Sequence, residues 1–272
     1  MKTRILAAAV LLPLLLLFLL VLPKVFTAVL FSAMAALGAY ELMQGTKLVT
    51  HRRLTVYAMI FAFFVPLWSF FGQVYALALV GILFFMALLY MELLIAKGQM
   101  AYSQIAVTFL AGIIVPFMLS AVVRIYATEK GRFLVFIPFV LSMVSDTGAY
   151  FAGRFFGKHK LAPVVSPNKT VEGVVGGVVM TVLGMIVYCL IMQFGFKLRV
   201  NYFYAVIYGI LGAMAGVFGD LSFSAVKRNT GIKDYGNLIP GHGGILDRFD
   251  SMITVAPLME ILLFLLPMAV KV

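Results

Sequence analysis

The chain has little of what a soluble protein carries. Only 11% of its 272 residues are charged, and cysteine and tryptophan occur once each. A soluble domain of this size would be roughly a quarter charged. That shortage excludes a disordered chain, which needs high polarity, and an ordinary soluble enzyme. A single cysteine, Cys189, excludes a disulfide framework. The three histidines, His51, His159 and His242, are far apart, so no His/Cys metal set can be read. A Gly-x-Ser-x-Gly elbow is absent. Gly153…Gly157-Lys158 falls one residue short of a P-loop and has His159 at the Ser/Thr place.

What the chain does have is apolar surface: 64% of its residues are hydrophobic. Apolar runs lie at about 5–22, 25–43, 54–71, 74–95, 104–123, 133–152, 171–194, 202–224 and 251–270. Each can cross a bilayer as a helix, which satisfies its own backbone in lipid. The chain therefore reads as an all-α, polytopic integral membrane protein with about nine transmembrane helices. At ~20 residues per span, nine spans use about two-thirds of the length. The first run reaches Pro23-Lys24 with no small-residue cleavage site, so it reads as an uncleaved span. Pro13, Pro66, Pro116 and Pro138 fall inside spans, where kinks are tolerated.

Loop charge orients the spans. With the N-terminus inside, 14 Lys and Arg lie on the inner side against 7 outside, which favours an N-in, C-out arrangement. The two longest polar loops, 153–170 and 225–250, are then both cytoplasmic. The net charge of +11 suits anionic partners such as lipid head groups and phosphates. It also fits the usual basic excess of cytoplasmic loops. No nucleic-acid partner is expected. All five aspartates lie after residue 145, whereas the first half carries only Glu41, Glu92 and Glu129 as acids. Residues 1–132 thus read as a scaffold of about five helices. Residues 133–272 read as a catalytic region of about four, within a single membrane domain.

Four constellations could carry chemistry. In Ser145-Asp146-Thr147-Gly148-Ala149-Tyr150-Phe151-Ala152-Gly153-Arg154, helical spacing puts Asp146, Tyr150 and Arg154 on one face. An acid at membrane depth marks either a site or a packing ion pair. In Ser166-Pro167-Asn168-Lys169-Thr170-Val171-Glu172-Gly173, Thr170 reads as a helix N-cap. Lys169 beside it makes a phosphate seat or a snorkelling lysine. In Asp220 to Arg228, one helix face would stack Asp220, Ser224 and Lys227/Arg228, an order suited to a metal with phosphates above it. The last group is Lys233-Asp234, then Pro240 to Ser251. There Gly243-Gly244 can expose backbone N–H groups, and Asp247 and Asp250 fall at i and i+3 on one face of the ninth helix. Hard oxygen ligands of this kind suit Mg²⁺. His242 reads as a hydrogen-bonding or phosphate-contacting group. With no activated nucleophile in view, the remaining chemistry is metal-assisted phosphoryl or nucleotidyl transfer.

Ser224 to Asp250 resembles the signature of the phosphatidate cytidylyltransferases, the CDP-diacylglycerol synthases. The matching positions are Ser224, Lys227, Arg228, Lys233, Asp234, His242, Gly243, Gly244, Asp247, Arg248 and Asp250. Asp146–Arg154 and Ser166–Gly173 also resemble that family. The resemblance covers about residues 142–255, and the first five spans match only in being hydrophobic.

The resemblance implies that CTP and phosphatidate give CDP-diacylglycerol and pyrophosphate, with Mg²⁺ and no covalent intermediate. Asp220, Asp247 and Asp250 would hold the metal. Asp146 would take a second cation, divalent or monovalent, or orient a basic partner. Lys227, Arg228, Lys233, Arg248, His242 and the Gly243-Gly244 backbone would hold the CTP phosphates. Arg154, Lys169 and Ser166 would face the phosphatidate phosphate. The setting would be a bacterial inner membrane with the site on the cytoplasmic side. A CTP-dependent polyprenol or dolichol kinase is the rival. A CDP-alcohol phosphotransferase lacks support, because Asp146-Thr147-Gly148 misses that family's first aspartate pair. A transporter would leave the one-sided crowding of acids unexplained. Gly173/Gly177 and Gly212/Gly216 allow close helix packing within one chain or in a homodimer.

Overall fold

The computed structural model describes residues 2–72, 75–239, 241 and 243–270, with backbone alone at 2–8, 75–76 and 269–270. Among the described residues each apolar run is mainly helical, as a backbone without water requires. In chain order the helices begin with α1 Lys2–Leu16, α2 Lys24–Thr46, α3 Arg52–Phe71 and α4 Tyr75–Ile95. There follow α5 Tyr102–Phe109, α6 Val115–Leu119, α7 Ala121–Ala127, α8 Gly131–Leu134, α9 Phe136–Phe156 and α10 Val171–Leu190. The last three are α11 Tyr202–Asn229, α12 Leu246–Phe249 and α13 Met252–Leu265. Seven helical segments among the described residues are long and apolar enough to cross a membrane. Two shorter apolar helices, Ala9–Val21 and Met252–Leu265, stand at the first and last runs.

The chain divides into two compact units. One comprises Met1–Thr128 with Lys227–Phe249, the other Glu129–Val226 with Asp250–Val272. In the first unit, α2 packs along α3, and both helices carry buried apolar residues, Phe31, Ala35, Ala39 and Leu42 on α2 and Leu54, Ala58 and Ala62 on α3. The fifth run is not one regular helix. A π-helical turn, Leu110–Ile114, separates α5 from α6, and Pro116, which has no N–H to give the helical ladder, follows it at the start of α6. The outer face of α4 (Leu79, Val80, Leu83, Phe84, Leu94) is exposed, as a lipid-facing helix requires.

In the second unit, small residues set the helix crossings. A Cβ at Gly176 on α10 would strike the Ala152 methyl of α9, and one at Gly148 would lie 2.6 Å from Met180 Cβ. Gly177 meets Ser145 and Ala149, and Gly212 of α11 meets Leu141, so these glycines serve packing inside the chain. Ser142 and Ser251 share a hydrogen bond of 2.7 Å, and Thr254 donates to the Ala215 carbonyl at 2.7 Å.

Two features differ from the sequence expectation. The polar stretch 153–170 holds an antiparallel hairpin, β1 Lys160–Ala162 with β2 Ser166–Thr170. A second small pair joins β3 Arg199–Val200 to β4 Ala269–Val270. The segment carrying Asp247 and Asp250 is not one continuous helix either. Asp247 lies on α12, and Asp250 falls in the turn before α13, its carboxylate accepting the Ser251 N–H at 2.8 Å. An aspartate bonded to the adjacent N–H competes with the helical ladder at this turn.

Candidate functional site

The first polar cluster belongs to the second unit. Thr170 ends β2 and caps α10, its Oγ1 accepting the Gly173 N–H at 3.1 Å. That cap fixes the neighbouring Lys169, whose Nζ lies 2.5 Å from Asp220 Oδ2. Asp220 Oδ1 accepts the Ser224 hydroxyl at 3.1 Å, one helical turn along α11. Close packing at Gly219 holds this part of α11: a Cβ there would meet Thr254 Oγ1 and, at 2.7 Å, the Asp250 carbonyl. Lys169 and Asp220 are 25% and 28% exposed, so the pair is partly wet. Glu172, in the first turn of α10, accepts the backbone N–H groups of Lys158 (3.0 Å) and His159 (3.2 Å), and lies 2.5 Å from His159 Nδ1. It ties the hairpin's entry to the helix start.

Around that cluster, Arg154 Nη1 donates to Tyr150 Oη at 2.9 Å, as their i, i+4 spacing foretells. Both are exposed on α9, and so is Asp146. Ser166 opens β2, paired in register with Ala162. Lys160 Nζ closes the hairpin on the Pro167 carbonyl at 2.7 Å.

The second cluster belongs to the first unit. Lys227, in the last turn of α11, places Nζ 2.8 Å from Asp247 Oδ1, with side-chain exposures of only 9% and 2%. The same ammonium stands 5.4 Å from the centre of the Tyr235 ring. Asp247 Oδ2 accepts two backbone N–H groups, from Tyr235 at 2.8 Å and Gly244 at 3.1 Å. Gly243, at φ +82°, makes the turn that presents them. The helix end is closed by Ile232 N–H on the Lys227 carbonyl (2.9 Å) and by Arg228 Nη1 on the Ile232 carbonyl (3.1 Å). Lys233, Asp234 and Arg248 are exposed, and Asp250 is partly so. His242 lies outside the described residues.

Of the residues singled out in the sequence, the structure brings Lys169, Asp220 and Ser224 into one lysine–aspartate group and Lys227, Asp247 and Gly244 into another, while Arg154 contacts Tyr150 instead. Two contributors were missed. Tyr235 supplies a backbone N–H and an aromatic face. Glu41 of α2, 6% exposed, accepts the N–H groups of Ile245 (3.0 Å) and Leu246 (2.8 Å). An acid inside an apolar run is the signal that could have found it.

As hosts for a cation, the two aspartates differ. Among the described residues no three His, Cys, Asp or Glu side chains cluster. Asp220 offers hard carboxylate oxygens with one contact each and partial exposure, which fits Mg²⁺. Asp247 is buried and already satisfied three times, so a cation there would compete with Lys227 for Oδ1.

Seven membrane-length helices carrying lysine–aspartate groups at polar positions define a multi-pass membrane protein. The family assignment follows from residues 2–266, which match the Cytidylyltransferase family, and the chain belongs to it. It is similar to phosphatidate cytidylyltransferase of Bacillus subtilis (strain 168), with 34% identity over 97% of this chain and 98% of that one. The Staphylococcus epidermidis RP62A enzyme of the same name is 47% identical over 136 residues, half of each chain. That of Staphylococcus saprophyticus is 46% identical over 140 residues, 51% and 52% of the two chains. The chain is accordingly a nucleotidyltransferase enzyme of the membrane.

Proposed function

We propose that the chain transfers the cytidylyl group of CTP to phosphatidate at the membrane–cytosol interface. A phosphate oxygen of phosphatidate attacks the α-phosphorus of CTP in line. The bond from that phosphorus to the β-phosphate oxygen breaks, and pyrophosphate leaves with the electron pair. CDP-diacylglycerol stays in the bilayer. The observation that supports this reading most is the pairing of Lys169 with Asp220 and of Lys227 with Asp247, in a chain of the cytidylyltransferase family.

Each lysine is held in place by its aspartate and is ready to exchange it for phosphate. Lys227, with the exposed Arg228, Lys233 and Arg248, would neutralise the CTP triphosphate. His242 and the Gly243-Gly244 turn would complete that seat. Lys169, Arg154 and Ser166 would take the phosphatidate phosphate. Asp220 is the best-suited Mg²⁺ ligand, with Asp247 and Asp250 as the further carboxylates and Asp146 as host to a second cation. When bound, Mg²⁺ would neutralise phosphate charge and orient the α-phosphorus. The proposal includes nine crossings, N-in and C-out, a catalytic region over 133–272, a bacterial inner-membrane setting with the site facing the cytoplasm, and a homodimer.

The test is product analysis with purified protein, Mg²⁺, phosphatidate and CTP labelled at the α-phosphorus. The proposal expects label in the lipid, pyrophosphate release, and no turnover after chelation of Mg²⁺. Label left in free CDP, with an added lipid alcohol phosphorylated, would move the assignment to a CTP-dependent lipid kinase.

A further inference from the structure

Glu41 is a carboxylate near the end of α2, a helix otherwise apolar enough to span the membrane. It is buried, and both of its oxygens are used. Oε1 accepts the Ile245 N–H at 3.0 Å, and Oε2 accepts the Leu246 N–H at 2.8 Å. These two N–H groups follow directly on that of Gly244, which Asp247 Oδ2 accepts at 3.1 Å. Three consecutive backbone donors are thus held by two carboxylates. One comes from the turn's own helix and the other from a segment about two hundred residues earlier.

The glycines around Glu41 are cut to its shape. A Cβ at Gly236 would stand 2.6 Å from Glu41 Oε1, and one at Gly244 would strike Oε2. A Cβ at Gly45, one turn along α2, would strike the Tyr235 carbonyl. Any side chain at these positions would push the carboxylate or the loop away. Burying a carboxylate is costly unless its acceptors are filled, and here the donors that fill them belong to the turn bearing Asp247.

We propose that Glu41 is a positioning residue: its carboxylate fixes the Gly243–Asp247 turn, and through it the Asp247 carboxylate and the Lys227 ammonium, for the CTP phosphates. This rests on the cytidylyl-transfer reading above and adds a residue of the first half of the chain to that site. Glu41 touches no reacting atom in this scheme. It acts by holding backbone donors that would otherwise leave the turn free to move.

The test compares wild type with Glu41→Gln, Glu41→Asp and Gly244→Ala in detergent. Glutamine keeps the shape but offers one acceptor, so its amide nitrogen would face a backbone N–H. Aspartate is one methylene short. Gly244→Ala presses on the same carboxylate from the turn. KM for CTP should rise about tenfold, the factor one lost charge-assisted hydrogen bond carries, while KM for phosphatidate stays put. A merely structural Glu41 would lower the active fraction and kcat without moving either KM, and that result would overturn the proposal.

Hydrogen exchange supplies an arm that needs no substrate. Amide exchange should quicken in peptides covering 243–247, and no comparable change should appear in α3. Unchanged exchange there would overturn the proposal as surely as an unchanged KM for CTP. A wild-type protein that turned over no CTP would sink the cytidylyl-transfer reading instead. The exchange arm would then still decide whether Glu41 orders the turn. Should Glu41→Gln fail to fold, Glu41→Asp and Gly244→Ala carry the same two readouts.

Discussion

Lys169 and Asp220 meet at 2.5 Å although one lies on a hairpin strand and the other deep in the sequence of α11. Their pairing joins two motifs that the sequence lists separately, one read as a phosphate seat and the other as a metal ligand. Under the proposed function, the two readings would become one switchable contact. A lysine held by an aspartate can turn to phosphate when a cation takes the aspartate's charge.

The pair is about a quarter exposed on each side, so it resembles a surface ion pair, worth up to ~1 kcal/mol. Asp220→Asn should therefore leave the thermal midpoint within a few degrees of wild type. Turnover of CTP with phosphatidate should fall by about 100-fold or more, as when a group that stabilises developing charge is removed. Thermal unfolding in detergent and initial rates check the two halves of this expectation. Normal turnover would remove Asp220 from the site.

Lys227 and Asp247 should behave in the opposite way. Their side chains are 9% and 2% exposed, and removing one partner leaves a buried, unpaired charge at a cost of ~3–5 kcal/mol. Lys227→Met and Asp247→Asn should each lower the unfolding midpoint markedly. The double variant should lose less than the sum of the two by ~1 kcal/mol or more, and none of the three should turn over substrate. Strictly additive losses would show that the contact does not stabilise the turn.

The α9–α10 crossing gives a packing prediction. Gly176→Val would drive its side chain into the Ala152 methyl, at a cost of ~1–3 kcal/mol. Ala152→Gly should recover part of that loss in the double variant, read as an unfolding midpoint. A Gly176→Val protein as stable as wild type would mean that the crossing is looser than the close approach implies.

Much of the local structure was legible in sequence. Apolar runs predicted helices because a backbone in lipid has no other partner. Helical period predicted the Asp220–Ser224 and Tyr150–Arg154 contacts, and side-chain chemistry predicted the Thr170 cap. The hairpin at 160–170 was not legible, since its strands are short and polar and carry no alternating pattern. Nor was the break at Asp250–Ser251, because the i, i+3 spacing of Asp247 and Asp250 suits an unbroken helix.

By itself the sequence determined a helical, multi-pass membrane protein and the short stretches that carry its charge, and the motif from Ser224 to Asp250 added the resemblance to its family. Composition and local spacing suffice for the helices, since hydrophobic length and helical period act over a few turns. Only the tertiary structure decided that Lys169 pairs with Asp220, that Lys227 pairs with Asp247, and that Glu41 holds the turn at Ile245 and Leu246. A buried charge takes the partner that helix packing brings to it. That packing is set by small residues such as Gly176, Gly219 and Gly244, whose close neighbours lie far away in the chain.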